Sequence, residues 1–259
     1  MQKITTKKTI LFSFLFLMSF VTDQQKNIKV WLIGDSTAAN KEIKAFPETG
    51  WGMPFTYFFD STVKVDNRAK NGRSTKSFIA EGLWQPVLDN LHEGDYVLIQ
   101  FGHNDEGKEK VGRYTTPDEF KENLTRYINE SKSKMAIPVL ITPVARRTFD
   151  SATGIVKESH PIYSDAVREV AKMNNVPLID LDAKSMELLQ QMGPETSKLL
   201  YDWVAPGEHP NYPNGNQDNT HFSELGARKM AEIVLAEIRN LKLELADRIV
   251  KVKPPAPKK

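Results

Sequence analysis

The 259-residue sequence predicts an α/β fold, a parallel sheet covered by helices on both faces. Three observations predict it. Short strand candidates alternate with longer stretches of helical spacing, as in successive β-α-β units. The strand candidates are near-continuous apolar runs, as strands buried on both faces require. Polar, glycine-containing segments directly follow three of those strands, at the edge where open parallel sheets hold ligands.

The first strand candidate, Ile28–Ile33, runs into Gly34-Asp35-Ser36-Thr37-Ala38-Ala39. A strand that ends in Gly-Asp-Ser and turns into helix-compatible residues puts a serine hydroxyl at a helix N-terminus. Backbone N–H groups and the helix dipole favour negative charge there, which suits a nucleophile and a developing oxyanion. An isolated Asp-Ser pair is more commonly a helix cap, and Asp35 itself reads as structural, hydrogen-bonding around the turn. Helical spacing follows over Trp51–Phe59, then a short strand, Thr62–Asp66, then Asn71-Gly72-Arg73-Ser74. The glycine lets a backbone N–H approach a ligand without a Cβ in the way. Ser74–Leu91 is helical with a break expected at Pro86.

The cleanest buried strand, Asp95–Phe101, leads to Gly102-His103-Asn104-Asp105, where the Asn104 carboxamide is an uncharged donor suited to an oxyanion. Thr116-Pro117-Asp118-Glu119 is a helix start, with Thr116 as cap and Pro117 in the first turn. Phe120, Leu124, Tyr127 and Ile128 then share one face. Strands Ile137–Thr142 and Val176–Leu181 and helices His160–Asn174, Ala183–Met192 and Glu224–Leu243 complete the pattern.

Lys184–Asn219 is the least regular region, and Tyr201–Gly215 reads as a long loop rich in aromatics, Pro and Gly that walls the site. It leads into Asp218-Asn219-Thr220-His221. A carboxylate three residues before a histidine can accept from Nδ1, fix the tautomer and leave Nε2 facing a serine. Taken singly, each motif has a commoner explanation as a turn, a cap or a solvated loop. Together they supply a nucleophile (Ser36), a base (His221), its orienter (Asp218) and three oxyanion donors: the N–H groups of Ser36 and Gly72 and the side chain of Asn104.

Composition bounds the rest. Lys3, Lys7 and Lys8 precede an apolar run, Ile10–Val21, too short for a bilayer span, which needs about 20 residues, and right for a signal peptide. Residues 1–22 therefore read as a cleaved leader, 23–245 as one catalytic domain and 246–259 as a disordered Pro/Lys-rich tail. With the leader cleaved, this implies a secreted or periplasmic protein with no stable membrane insertion; the alternative is an uncleaved N-terminal anchor. Removing the leader takes away three lysines and no acid, which turns a formal charge of +2 into −1. A nearly neutral chain argues against nucleic acid as a partner, and a monomer is expected. The sequence has no cysteine, which excludes disulfides and lipoprotein modification.

The set Gly34-Asp35-Ser36, Gly72, Gly102-His103-Asn104-Asp105 and Asp218-x-x-His221 resembles the four blocks of the SGNH (GDSL-type) hydrolases. More narrowly, Gly34–Ala39, Ala69–Ser74, Phe101–Asp105, Thr142–Arg147 and Asp218–Phe222 are similar to the rhamnogalacturonan acetylesterases of carbohydrate esterase family 12. The resemblance implies a single-domain three-layer α/β/α sandwich on a flavodoxin-like five-stranded parallel sheet. It also implies a serine esterase that takes acetyl groups from pectic rhamnogalacturonan through an acyl-enzyme, with no cofactor and no metal. Trp51, Trp84, Trp203 and Tyr212 are candidates for stacking on sugars. Arg73, Arg146 and Arg147 are candidates for pairing with uronic acids, and His209 for lining the same cleft. Most tryptophans pack in cores and most arginines are solvated, so position favours Arg73, beside Gly72. The alternatives are a broader short-chain carboxylesterase or lysophospholipase, a xylan acetylesterase, and a non-catalytic glycan-binding protein. A metal site built on Asp35, His103, His209 and Asp218 lacks a His-x-x-x-His or Cys-pair signature. The α/β-hydrolase elbow is disfavoured because its second glycine is missing.

Overall fold

The computed structural model describes residues 26–251, so the expected leader and segment 252–259 lie outside the described residues. Five strands, β1 (Ile28–Gly34), β2 (Val63–Asn67), β3 (Tyr96–Gln100), β4 (Ile137–Ile141) and β5 (Leu178–Ile179), form one sheet in the order β2-β1-β3-β4-β5. Every pair is parallel; Val30 lies opposite Val65 on one side and Tyr96 on the other. The chain leaves β1 for β2 and then crosses back to β3. The strand order therefore reverses at β1, and a crevice opens beyond its carboxyl end. The fifth strand is shorter than expected because Leu181 already begins a helix.

Alternation along β1 splits the core in two. Val30 and Leu32 join Leu98, Val139 and Ile141 on one face, covered by α1 (Gly52–Phe55), the helix Leu181–Thr196 and the helix Glu224–Asn240. Trp31 and Ile33 join Val97, Ile99 and Leu140 on the other, under α2 (Thr75–Ala80), α3 (Gln85–Asp89), α4 (Pro117–Ser133) and α5 (Pro161–Met173). Helices Leu181–Thr196 and Glu224–Asn240 are α6 and α7. The result is the three-layer sandwich that the sequence predicts. Pro86 sits in the first turn of α3, and the expected break occupies the residues before it. Thr116 caps α4 through a reciprocal pair: its Oγ1 accepts from Glu119 N–H at 3.2 Å, and Glu119 accepts from Thr116 N–H at 2.8 Å.

Two expectations need correction. The region read as one long loop contains a hairpin, β6 (Tyr201–Val204) paired antiparallel with β7 (Asn216–Phe222), and only 205–215 is loop. Asp218 and His221 thus sit on a strand. The boundary at 246 also falls too early, because Arg248 and Ile249 are buried. Ile249 bridges to Phe59, Asp60 N–H donates to Arg248 O at 2.9 Å, and Val250 N–H donates to Phe58 O at 2.8 Å. Among the described residues, no helix is long and apolar enough to cross a membrane.

Candidate active site

Ser36 follows β1, Gly72 follows β2 and Asn104 follows β3, and these strands are neighbours with β1 in the middle. The three motifs therefore meet at one edge of the sheet. Gly34 lets β1 lie close against β3 there: a Cβ on it would lie 2.6 Å from the Gln100 carbonyl oxygen. Asp35 is buried, and its Oδ1 accepts from Thr37 N–H at 2.9 Å and Thr37 Oγ1 at 2.7 Å. Burial pushes its carboxyl up from the usual range. Gln100 Nε2 donates to Thr37 Oγ1 at 2.9 Å, and Gln100 Oε1 accepts from Trp51 Nε1 at 2.7 Å. This buried set fixes the turn that presents Ser36.

From the opposite side β7 brings the other two groups. Ser36 Oγ donates to His221 Nε2 at 2.9 Å, and His221 Nδ1 donates to Asp218 Oδ2 at 2.7 Å. Asp218 Oδ1 also accepts from the N–H groups of Thr220 at 2.6 Å and His221 at 2.9 Å. Burial alone would raise the Asp218 carboxyl. The His221 hydrogen bond and charge, with the two backbone donors, outweigh it and hold the group at about 2. Asp218 is therefore ionised and orients the ring.

Gly72 has φ +73°, a conformation that side chains rarely adopt. Among the described residues, neither Ser36 N–H nor Gly72 N–H donates to any partner. Asn104 Nδ2 spends one hydrogen on Arg73 O at 3.1 Å, which leaves its second. The arrangement offers a nucleophile, a base and free donors on adjacent loops.

Lys41 and Glu48, which the sequence reading passed over, tie those loops together. The Lys41 ammonium, its side chain fully buried, donates to Ser36 O at 2.6 Å and Asn71 Oδ1 at 2.9 Å. It pairs with Glu48 Oε1 at 2.5 Å, and that oxygen lies 4.0 Å from His221 Nε2. No motif points to Lys41; the signal available was its place five residues after Ser36.

The aromatic and basic candidates fare unevenly. Trp84 and Trp51 are core residues, 1% and 0% exposed, so neither stacks on a sugar. Trp84 packs on Tyr127 and donates to Glu130. Arg147 is buried and braces the hairpin, donating to Ser197 Oγ, Asn219 Oδ1 and Pro194 O. Arg73 is held by Glu81 at 2.7 Å, and Arg146 by Glu106 at 3.0 Å. Glu106 also meets His160 Nδ1 at 2.8 Å, and the His160 ring stands 4.2 Å from that of His103. Burial, with His160 and Arg146 nearby, holds the His103 imidazole well below its usual range. Trp203 and His209 line a cleft of about 440 Å³ with Asp202, Glu208 and Pro47, and Ser36, Gly72, Asn104, Asp218 and His221 are not among the residues lining it. Tyr212, on the hairpin loop, donates from its hydroxyl to Ala45 O at 3.0 Å. Among the described residues, no group of three or more His, Cys, Asp or Glu is placed to hold a metal ion.

The rhamnogalacturonan acetylesterase RhgT of Bacillus subtilis (strain 168) is 44% identical over 226 residues, covering 87% of this chain and 96% of that one. A rhamnogalacturonan acetylesterase of Emericella nidulans is 27% identical over 228 residues, 81% of this chain and 84% of that one. Among solved structures, the YXIM protein of Bacillus subtilis superposes with a TM-score of 0.73 at 26% identity, over 85% of this chain but only 58% of its own length. The acetylxylan esterase Axe2 of Geobacillus stearothermophilus shares the fold, with a TM-score of 0.57 at 19% identity over 81% of this chain and 93% of that one. The model of the GDSL-like Lipase/Acylhydrolase family matches residues 32–229. The chain belongs to that family and is a carboxylic ester hydrolase.

Proposed function

We propose that the protein is a secreted serine esterase that removes O-acetyl groups from rhamnogalacturonan through an acyl-enzyme. The observation that carries the chemistry is the line Ser36 Oγ, His221 Nε2, His221 Nδ1, Asp218 Oδ2, with hydrogen bonds of 2.9 and 2.7 Å. His221 takes the Ser36 proton as Oγ attacks the acetyl carbonyl carbon. The carbonyl oxygen becomes an oxyanion that the Ser36 and Gly72 N–H groups and the Asn104 amide stabilise. As the intermediate collapses, the bond to the sugar oxygen breaks and His221 returns the proton to it, leaving acetyl-Ser36. Water then repeats the sequence, with His221 as base, and releases acetate and free Ser36. Asp218, ionised, balances the imidazolium in both halves.

The substrate class rests on the likeness to the acetylesterases named above, two of which act on rhamnogalacturonan by name. Secretion rests on the composition of residues 1–22. The test is acetate release from acetylated rhamnogalacturonan and from acetylated xylan, by wild type beside Ser36→Ala. Release from the pectic polymer alone, lost in the variant, is the expected result. Release from both polymers reduces the proposal to a general glycan acetylesterase. No Ser36-dependent release from either overturns it.

A further inference from the structure

A second basic group stands at the oxyanion loop, and none of the chemistry above uses it. Arg113 lies on the segment between Asn104 and α4, a stretch fixed at its end by Thr115 N–H donating to Asp105 O at 3.0 Å and Tyr163 Oη donating to Thr115 O at 2.6 Å. Its guanidinium packs against Gly72. A Cβ built on that glycine would meet Arg113 Nη1, Cζ and Nη2 at 3.0, 3.2 and 3.3 Å. Three such similar distances mean that the flat face of the guanidinium covers the loop, so its N–H donors point along the surface rather than into Gly72. The residue is half-buried. Among the described residues its side chain has no hydrogen-bond or ion-pair partner.

That lack distinguishes it from its neighbours. Arg73, the arginine that sequence position favours, and Arg146 are already neutralised by Glu81 and Glu106. A half-buried guanidinium loses hydration, and an internal carboxylate normally compensates. Where the fold supplies none, a ligand carboxylate can. A guanidinium fork matches a carboxylate in bidentate geometry, which an ammonium cannot reproduce. Lys70, exposed and also without a side-chain partner among the described residues, adds a second cation on the same loop. It lines a cleft of about 330 Å³ with Asn71, Arg73 and the ion pair of Lys44 with Glu42.

We propose that Arg113 is a specificity-determining residue that binds the carboxylate of a uronic acid unit next to the acetyl group being removed. This rests on the reading of the substrate as an acidic, acetylated polysaccharide. Charge recognition here positions the chain over Ser36 without contacting the reacting carbonyl, so its loss is felt in KM rather than kcat.

The experiment compares wild type, Arg113→Gln and Arg113→Lys on three esters. They are acetylated rhamnogalacturonan oligosaccharides, the same oligosaccharides with their carboxyl groups methyl-esterified, and 4-nitrophenyl acetate. Arg113→Gln is expected to raise KM on the acidic oligosaccharides by about 10- to 100-fold, the worth of a charge-assisted bidentate pair, with kcat within about twofold. Arg113→Lys should fall between. Wild type should show the same rise on the methyl esters, where the variants no longer differ from it. All three proteins should be alike on 4-nitrophenyl acetate, which also reports correct folding. Equal kinetics of wild type and Arg113→Gln on the acidic oligosaccharides overturns the proposal and leaves the acetylesterase reading intact. An equal loss on 4-nitrophenyl acetate also overturns it, because Arg113 then acts by shaping Gly72. Absence of acetate release by wild type from either oligosaccharide, with 4-nitrophenyl acetate still cleaved, overturns the pectic reading and this proposal with it.

Discussion

Asn104 donates one amide hydrogen to Arg73 O and keeps the other for the site. In the proposed mechanism, removing the side chain costs the oxyanion a donor, worth about 2.7–4 kcal/mol in the transition state. Asn104→Ala should therefore slow kcat by roughly two to three orders of magnitude with KM little changed, measured on 4-nitrophenyl acetate. The next residue acts on stability. Asp105 is fully buried; its Oδ1 accepts from Thr75 N–H at 3.0 Å and Thr75 Oγ1 at 2.5 Å, while Oδ2 has no partner among the described residues. Burial outweighs those bonds and raises its carboxyl to about 7. An unfolded Asp titrates near ~3.9. The fold therefore binds a proton that the unfolded chain has released over that interval, and stability present below about pH 4 is lost as pH rises through about 7. Asp105→Asn cannot titrate and keeps an acceptor for Thr75. Thermal melts from pH 4 to 8 should show wild type falling relative to the variant; parallel curves would remove Asp105 from this role. Asp218, held at about 2, has the opposite sign: its contribution is present above about pH 4 and is lost as pH falls through about 2. The four motifs of the candidate site were legible as residue types in order. Arg113 and Lys41 were not, because nothing in a sequence says which cation lacks a partner or which is buried.

At the scale of elements, strands β1 and β3 were readable because each is a continuous apolar run bounded by glycine-containing turns. The β6–β7 hairpin was not. Its second strand, Asn216–Phe222, is almost wholly polar, and strand propensity depends on context more than on composition. What makes it a strand is tertiary: Thr49 N–H donates to Phe222 O at 2.8 Å, Asn216 Nδ2 to Asp202 Oδ2 at 2.7 Å, and Arg147 N–H to Asn219 O at 2.8 Å. Lys41 performs the matching task for the β1 and β2 loops. Lys41→Met strands the Glu48 carboxylate and frees the Asn71 loop. Breaking a buried pair in this way costs about 3–5 kcal/mol. Adding Glu48→Gln should restore much of the stability, seen by urea denaturation, since no unpaired charge remains. Activity should stay low in the double variant, because Ser36 O and Asn71 are still untethered. Recovery of activity along with stability would show that the clamp matters to folding alone.

Considered as a whole, the molecule places its candidate site where its topology reverses. The strand order β2-β1-β3-β4-β5 sets three motif-bearing loops side by side, while β7 closes over them from outside the sheet. Apolar periodicity predicted the two-sided core but not where the domain ends. The composition of 246–259 is that of a tail, yet the charged Arg248 is buried and Arg248 Nη1 donates to Thr62 Oγ1 at 2.9 Å. A charged, Pro-flanked stretch carries no periodic signal, so its docking against Phe58, Phe59 and Asp60 was invisible until the fold supplied the partner surface. Two truncations separate composition from packing. A chain ending at Leu245 loses Arg248, Ile249 and the backbone pairing with 58–60, about 2–4 kcal/mol of buried contact, and should melt about 5–15 °C lower. A chain ending at Lys251 keeps all of these and should melt within about 2 °C of the full chain. Esterase activity at 25 °C should survive in both, because neither cut reaches Ser36, His221 or their loops. Equal melting of the two truncations would return the domain boundary to residue 245.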